Sequence, residues 1–459
     1  MKPSQRAFFL YIIMQQRDSG IKWRSKHTLK ELLPNNISAF SRIFESLKYK
    51  NYSLFFWGQT ASLIGTWMQA IAMSWLVYRL TESVVLLGTV TFLTQIPTLF
   101  LTPLSGIIAD RYDKRKLLML SQTLYMCHAT LLAVLTLTNY ILPWHILTLS
   151  LFAGFINALD MPVRQSFYST LVPPELMTNA VALNSTIMNG SRLIGPAVGG
   201  FLITFIGEGG CFTINAISFL FVLGALSKIR YSSTKNTENK RPILEIKEGF
   251  QYVKNFIPIR AILLTTSVFS FCIFSYATFM PAYVKGTLMQ GSSTLGIIMS
   301  AVGIGAVSST FYLAARKSVL GLGKIVVITI TLAAIALMPA FFIKSIGFIL
   351  PLAVCAGFGI TCSLASINTL LQTLTTNAMR GRVMAYYSMC FVGSSAVGSF
   401  FWSYVAKMIT LPYCMAICSA ICLITAILFE KYRPLVRLHA RPVYIEKGII
   451  KEIAQGIDF

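Results

Sequence analysis

Three ionisable residues, Asp160, Arg164 and Arg192, sit in stretches that are otherwise apolar. Asp160 and Arg164 are four residues apart, so on a helix their side chains share one face. Two chemistries are open to such a pair. It can be a fixed ion pair. Alternatively, Asp160 can carry a proton, as burial favours its neutral form and Arg164 favours its charged form. Arg192 lies in "NGSRLIGPAVGGFLITFI" (189–206), which holds no acid. A guanidinium facing hydrocarbon costs at least about 2.5–3.5 kcal/mol, so Arg192 must face water, an anionic ligand or a carboxylate such as Asp160. Both the anion-binding reading and the pairing reading stand.

Amides form a second set. Gln59, Ser62, Thr66, Gln69 and Met73 are spaced 3, 4, 3 and 4 apart, which puts them on one helical face, with Trp67 and Trp75 off it. Asn157 lies just before Asp160 and Arg164, and Thr361, Asn368 and Gln372 repeat the polar spacing far downstream. In an apolar solvent such faces must meet water, ligand or a neighbouring helix, so Gln59, Thr66, Gln69, Asn157, Asn368 and Gln372 are candidates for a binding cavity or for helix packing. No metal site or cofactor is implied. The four histidines form no motif, and Cys414, Cys418 and Cys422 stack on one face as small packing residues without a His or carboxylate beside them.

The elements that must position these groups are membrane helices. The chain is 55% hydrophobic and 12% charged, with mean hydropathy +0.66. A soluble domain carries about 25% charged residues. Apolar runs near the roughly 20 residues that cross a hydrocarbon core of about 30 Å recur at 53–78, 84–108, 117–138, 142–166, 179–206, 210–228, 259–283, 291–314, 324–343, 346–373, 383–406 and 410–430. The expected architecture is an all-α integral membrane protein of about twelve spans. A basic extension covers 1–50, a six-helix bundle 51–229, a linker 230–258, a second bundle 259–430 and a tail 431–459. "AFFLYIIM" (7–14) is short for a signal peptide and lacks a small-residue cleavage site, so residues 1–38 read as an extension, with organelle targeting as the alternative.

The net charge of +23 follows from topology rather than from nucleic acid. All of the 39 Lys and Arg except Arg79, Arg192, Lys285, Lys344 and Lys407 fall in segments that share one side if both termini are cytoplasmic. No aromatic-interleaved basic module accompanies the charge, so no nucleic-acid partner is expected. Of the 16 acids, only Asp160 lies well inside a span. Arg192 falls about 14 to 20 Å into its span, near the centre of the core.

Sliding 171–195 against 374–398 without a gap aligns Leu171 with Leu374, Ala182 with Ala385, Ser185 with Ser388, Gly190 with Gly393, Ser191 with Ser394 and Gly195 with Gly398. The fifth and eleventh spans therefore repeat one another, and six spans per half make the halves parallel repeats with a site expected between them at midplane. Arg192 aligns with Ser395, so the charge belongs to one half only.

At "GIIADRYDKRK" (106–116) and "GPAVGG" (195–200) the chain resembles the major facilitator superfamily of transporters. The first stretch is similar to its loop between spans 2 and 3, and the second to its exporters' span-5 motif. "GQTASLIGTWMQAIAMSWLVYRLT" (58–81), "DMPVRQSF" (160–167) and "LNSTIMNGSRLIGPAVGG" (183–200) resemble the branch that contains the enterobactin exporter. The resemblance covers about residues 39–430. It implies the major facilitator fold, a gate built on Gly106, Asp110, Arg111, Arg115 and Lys116, and an exporter motif of Gly190, Gly195, Pro196, Gly199 and Gly200. Asp113 stands where the family has glycine, and the matching loop "LAARKSVLGLGK" (313–324) lacks an acid.

The resemblance implies a monomeric secondary transporter in the cytoplasmic (inner) membrane. It would export a small organic molecule, a siderophore, drug or metabolite, by alternating access and proton antiport. An importer of the same superfamily and a lysophospholipid flippase are the alternatives. A membrane enzyme is not expected, because no His or Cys joins Asp160 in a reactive set.

Overall fold

The structure, a computed structural model, describes residues 44–168, 170–229, 242–316, 318–376 and 379–450. Within these, the side chains at 102–104, 106, 107, 109, 110, 178 and 242–246 are not described. The N-terminal extension with its 7–14 patch, the greater part of the linker's polar first half and the last residues of the tail lie outside the described residues.

Among the described residues every regular element is helical, as backbone in lipid requires when each N–H and C=O must be satisfied within its own segment. Span 1 is Lys50–Thr81, span 2 Val84–Arg111, span 3 Lys114–Leu137 and span 4 Pro143–Tyr168. Spans 5 and 6 are the two arms of Met177–Lys228. Span 7 is Ile257–Ile273 continued by Ser275–Ala282, span 8 Ser292–Ala314, span 9 Leu322–Ala340 and span 10 Ile346–Leu374. Span 11 is Arg380–Ser388 continued by Ser394–Ile409, and span 12 is Leu411–Glu446.

Among the described residues, ten helices are long and apolar enough to cross a bilayer. The expected twelve spans are recovered by two physical observations. Met177–Lys228 breaks at Gly207, whose φ of 67° is open to glycine, and the chain reverses there. Span 1 is diluted by its polar residues, yet it is enclosed by spans 5 and 6. Its Gly58 lies against Val222 and Ala225, and its Gly65 against Asn215 and Ser218. Two boundaries differ from expectation. The linker contains a helix, Pro242–Asn255, tied to span 11 by a 2.7 Å ion pair between Glu248 and Arg382. Span 12 runs on to Glu446, well into the expected tail.

The repeat reappears in the packing. Gly195 sets span 5 on span 1, where an added Cβ would lie 2.4 Å from Trp67 Cβ. Its aligned partner Gly398 sets span 11 on span 7, where a Cβ would lie 2.0 Å from the Phe271 carbonyl oxygen. The halves are not identical, however. Spans 7 and 11 each contain a wider π turn, Tyr283–Thr287 and Met389–Gly393, and the Phe391 carbonyl in the latter accepts a 2.7 Å bond from Ser270 Oγ. Spans 1 and 5 have no counterpart to these turns.

One end of the bundle gathers the described chain start, the 2–3 loop and the linker helix. There Ser46 N–H donates to Asn179, Arg115 reaches the end of span 6 and Lys447 reaches the end of span 10. This is the basic end. At the far end Arg79 grips Glu208 at 2.7 Å, and Lys285 of one half meets Glu82 of the other at 3.4 Å.

Glycine is required where backbones touch. A Cβ at Gly357 would lie 2.0 Å from the Val302 carbonyl oxygen, between spans 10 and 8. Gly357→Val is expected to cost about 1–3 kcal/mol through overpacking, read as a lower thermal midpoint in detergent. Gly224→Ala, at a position where nothing lies within 4 Å, is expected to hold or raise that midpoint.

Candidate functional site

The site is built on the approach of span 5 to span 1. Gly195 and Gly199 remove the side chains that would hold the helices apart, since Cβ atoms there would meet Trp67, Ile64 and Met68. That approach brings the Trp67 ring beneath Arg192, with the guanidinium carbon 5.0 Å from the ring centroid. A cation over an indole face is held by the ring quadrupole. Tyr276 of span 7, in the other half, is buried and within electrostatic reach of the same guanidinium. Arg192 is exposed despite its mid-span position and its closely packed surroundings, and we read this combination, between Trp67 of one half and Tyr276 of the other, as a side chain lining an opening between the halves. Thr66, one residue before Trp67, is exposed as well.

The halves meet around this opening. Gly200 of span 5 faces Gly296 of span 8, where a Cβ at 200 would lie 2.5 Å from the Gly296 Cα. Thr204 and Ser292 bond at 3.3 Å, and Leu193 packs on Gly303. On the other side span 2 meets spans 7 and 11. Thr91 and Thr278 bond at 3.3 Å, Phe92 and Phe400 pack at 5.1 Å, and Leu99 covers Gly393. Ser395, which aligns with Arg192, is buried and donates to Gln95 Oε1 at 3.0 Å. One repeat thus uses the position for contact between halves, and the other leaves a cation in the opening.

The amides expected to share one cavity face do not do so. Gln59 is buried among Tyr52, Phe55, Tyr168 and Asn184. Gln69 Oε1 accepts a 2.7 Å bond from Asn215 Nδ2, which joins span 1 to span 6. Asn157 Nδ2 donates to Thr98 Oγ1 at 3.3 Å, which joins span 4 to span 2. A polar side chain in an apolar solvent is satisfied by the nearest helix, and here that need outranks the cavity. Gln372 is exposed and donates to Asn368 one turn earlier, within span 10.

Asp160 is also satisfied, and not by Arg192. It is 2% exposed; Oδ1 accepts from Ser121 Oγ and from Gln122 Nε2, each at 2.7 Å, and Oδ2 faces Arg164 Nη2 at 3.2 Å. Three donors from two helices converge on the carboxylate and clasp span 3 to span 4. The pairing of Arg192 with Asp160 is therefore replaced by the indole and the opening.

In the 2–3 loop, Arg115 donates from Nε to the Leu226 carbonyl at 2.6 Å and from Nη2 to the Ser227 carbonyl at 2.7 Å, so it caps span 6 with charge of the favourable sign. Asp113 has a local role, accepting at Oδ1 from Lys116 N–H at 3.1 Å to cap span 3. Arg111 and Lys116 are exposed, and the side chains of Gly106 and Asp110 lie outside the described residues. In the exporter motif, Gly195, Gly199 and Gly200 are contact glycines and Pro196 is buried beside them, whereas Gly190 meets nothing within 4 Å and takes no part in the close approach. Sequence reasoning set Trp67 aside as off the polar face, named Tyr276 only as one of several span-7 aromatics that would suit a ligand, and missed Asn215. Trp67 could have been found from its fit beside Gly195; Asn215 carries no local signal.

Removing a charge separates the two arginine environments. Asp160→Asn leaves Arg164 largely enclosed without its counter-charge, an expected loss of about 3–5 kcal/mol seen as a lower thermal midpoint in detergent. Arg192→Gln removes a cation–π contact of about 0.5–1 kcal/mol and is expected to leave that midpoint almost unchanged.

Known proteins agree with this architecture. The family model described as transmembrane secretion effector matches residues 42–441. The staphyloferrin A transporter of Staphylococcus aureus is 27% identical over 63% of this chain and 73% of its own. The multi-drug resistance efflux pump PmrA homolog of Lactococcus lactis is 28% identical over 66% and 75%. Among solved structures, a bacterial homologue of the iron transporter ferroportin in an inward-facing state matches with TM-score 0.66 and 16% identity, over 83% of this chain and 98% of that one. The nucleoside transporter NupG matches with TM-score 0.63 and 16% identity, over 89% and 100%. Twelve helices in two repeats, with the family match across nearly all of them, make this chain a multi-pass membrane transporter of the major facilitator superfamily, in its transmembrane secretion effector family.

Proposed function

We propose that this transporter exports a small anionic organic molecule, of the siderophore or carboxylate-bearing metabolite class, by rocking its halves about the opening that holds Arg192. The observation that carries the reading is Arg192 itself: a mid-span cation, exposed, stacked on Trp67 and not paired with Asp160. A fixed cation with an aromatic floor selects anions that carry apolar or aromatic surface. The relative named a staphyloferrin A transporter supports a siderophore as cargo.

The basic end is taken as cytoplasmic, with both termini there, in line with the positive-inside distribution. The described contacts between halves lie along the far end and the middle, from Glu82–Lys285 to Leu99–Gly393, which supports a state open toward the basic end. A cavity open to the cytoplasm is where an exporter loads. Proton antiport is the proposed drive. The clasped geometry of Asp160 supports giving Asp160 and Arg164 to the span 3–span 4 joint rather than to the proton path. Multidrug export is the second reading, favoured by the aromatic side chains Trp67 and Tyr276 and by the relative named a multidrug efflux pump.

Everted membrane vesicles test the proposal. ATP-independent accumulation of an anionic siderophore is expected, and collapse of the pH gradient is expected to abolish it. Arg192→Gln is expected to reduce accumulation of anions about tenfold or more, the loss of a charge-assisted contact of about 1.5–3 kcal/mol, at unchanged protein level. Uptake in right-side-out vesicles instead would identify an importer. Accumulation indifferent to the pH gradient would remove proton antiport, and preference for cationic dyes would favour the multidrug reading.

A further inference from the structure

A second cavity lies away from the opening between the halves. It has a volume of about 880 Å³ and opens at the basic end of the second half, between the start of span 7, the start of span 9 and the ends of spans 10 and 12. Its walls are of two kinds. Ile262, Leu322, Leu370, Leu374 and Phe429 form an apolar floor, and Lys324, Arg433, Arg437 and Arg441 bring charge to walls that are otherwise largely apolar. No carboxylate is among the described lining residues.

The arginines owe their arrangement to span 12. Arg433, Arg437 and Arg441 recur every four residues and so stack along one helical face. A hydrocarbon core of about 30 Å takes about 20 residues of helix, so a helix that begins at Leu411 leaves the core near residue 431. Arg433 therefore stands at headgroup depth and Phe429 just inside the hydrocarbon, while Arg437 and Arg441 follow one and two turns farther out, on a helix whose long side chains lean back toward its N-terminus. Arg433 is half-buried. Its Nη2 is engaged by Glu430, while its Nε and Nη1 are enclosed without a hydrogen-bond partner. Enclosed guanidinium donors that lack an acceptor are costly, so Arg433 is a side chain that gains if it turns toward an acceptor in the cavity.

We propose that this cavity binds one anionic glycerophospholipid from the leaflet at the basic end, its phosphate on Arg433, Arg437 and Arg441 and an acyl chain on the floor formed by Leu370, Leu374 and Phe429. The charge pattern selects the headgroup, since four cations line the cavity and Glu430 offsets only part of Arg433. The depth and the apolar floor select a lipid over a free ion, because a phosphate alone would leave that floor facing water. The site lies wholly within one half and does not depend on the direction or substrate of transport.

Native mass spectrometry of the delipidated full-length protein tests this, with phosphatidylglycerol, phosphatidylcholine and inorganic phosphate as probes. Phosphatidylglycerol is expected to bind in preference to phosphatidylcholine with a stoichiometry of one at the tightest site. Arg437→Gln and Arg441→Gln, both at exposed positions, are each expected to weaken it about fivefold, the effect of one basic residue at a charged surface. Leu438→Glu, exposed at the rim, is expected to weaken phosphatidylglycerol and leave phosphatidylcholine unchanged. Equal binding of the two lipids, or an Arg437→Gln/Arg441→Gln protein that binds like the parent, would overturn the proposal. So would competition by inorganic phosphate at equal concentration, which marks a free-ion site. Tighter lipid binding after Glu452→Gln and Asp458→Asn would mark the chain's own acidic tail as the occupant and equally overturn it.

Discussion

The close approach of span 5 to its two neighbours is the constraint on which the rest depends. Lipid offers helices no hydrophobic reason to associate, so contact must come from packing, and packing of this closeness needs residues without side chains. Gly195 and Gly199 press one face of span 5 against span 1, and Gly200 presses another against Gly296 across the boundary between halves. A single helix thereby belongs to the core of one half and to the joint with the other. Arg192 rides on that helix one turn away, and the tightness of the approach seats Trp67 beneath it.

Polar residues inside the spans divide into two populations. One is fully satisfied: Asp160 with Ser121, Gln122 and Arg164, Gln69 with Asn215, and Asn157 with Thr98. Each of these fastens helices within one half and makes it a rigid body. The other is small and open, Arg192 with Thr66 in the first half and Gln372 with Asn368 in the second. Rigid halves with polar groups left over in between are what alternating access needs, because the moving parts must keep their own bonds while the ligand groups exchange theirs. Contacts between halves are chiefly hydroxyl pairs, aromatic rings and glycine faces, with the single described ion pair of Glu82 and Lys285 at the exposed far rim. Such contacts separate at low cost.

The duplication explains both the symmetry and its failure. Gly195 and Gly398 hold equivalent contacts, so the helix positions of the two halves match. At the next position of interest the copies diverge: Ser395 is sealed against Gln95, and Arg192 is left in the opening. The π turns in spans 7 and 11 extend the same asymmetry, giving the second half helices of uneven winding where the first has continuous ones. A carrier whose halves were identical would present the same chemistry to a ligand from both sides. Here the charge comes from one side and the phenol of Tyr276 from the other.

The sequence by itself determined the class of fold, the count and order of spans, the duplication and the cost of Arg192, because each follows from a local quantity: apolar run length, residue type at helical spacing, or a motif of contiguous residues. It also singled out Gly195, Gly199 and Gly200, since only close approach makes glycine worth having in a helix. Tertiary structure decided which partner each polar group found. Gln59 and Gln69 share a helical face with Thr66, yet a difference of one or two turns sends them to packing and Thr66 to the opening. Asp160 and Arg192 are oppositely charged and both mid-chain, and nothing local says that Ser121 and Gln122 stand closer to the acid. Spacing along one chain tells which side chains share a face; which face meets water is set by the helices packed around it.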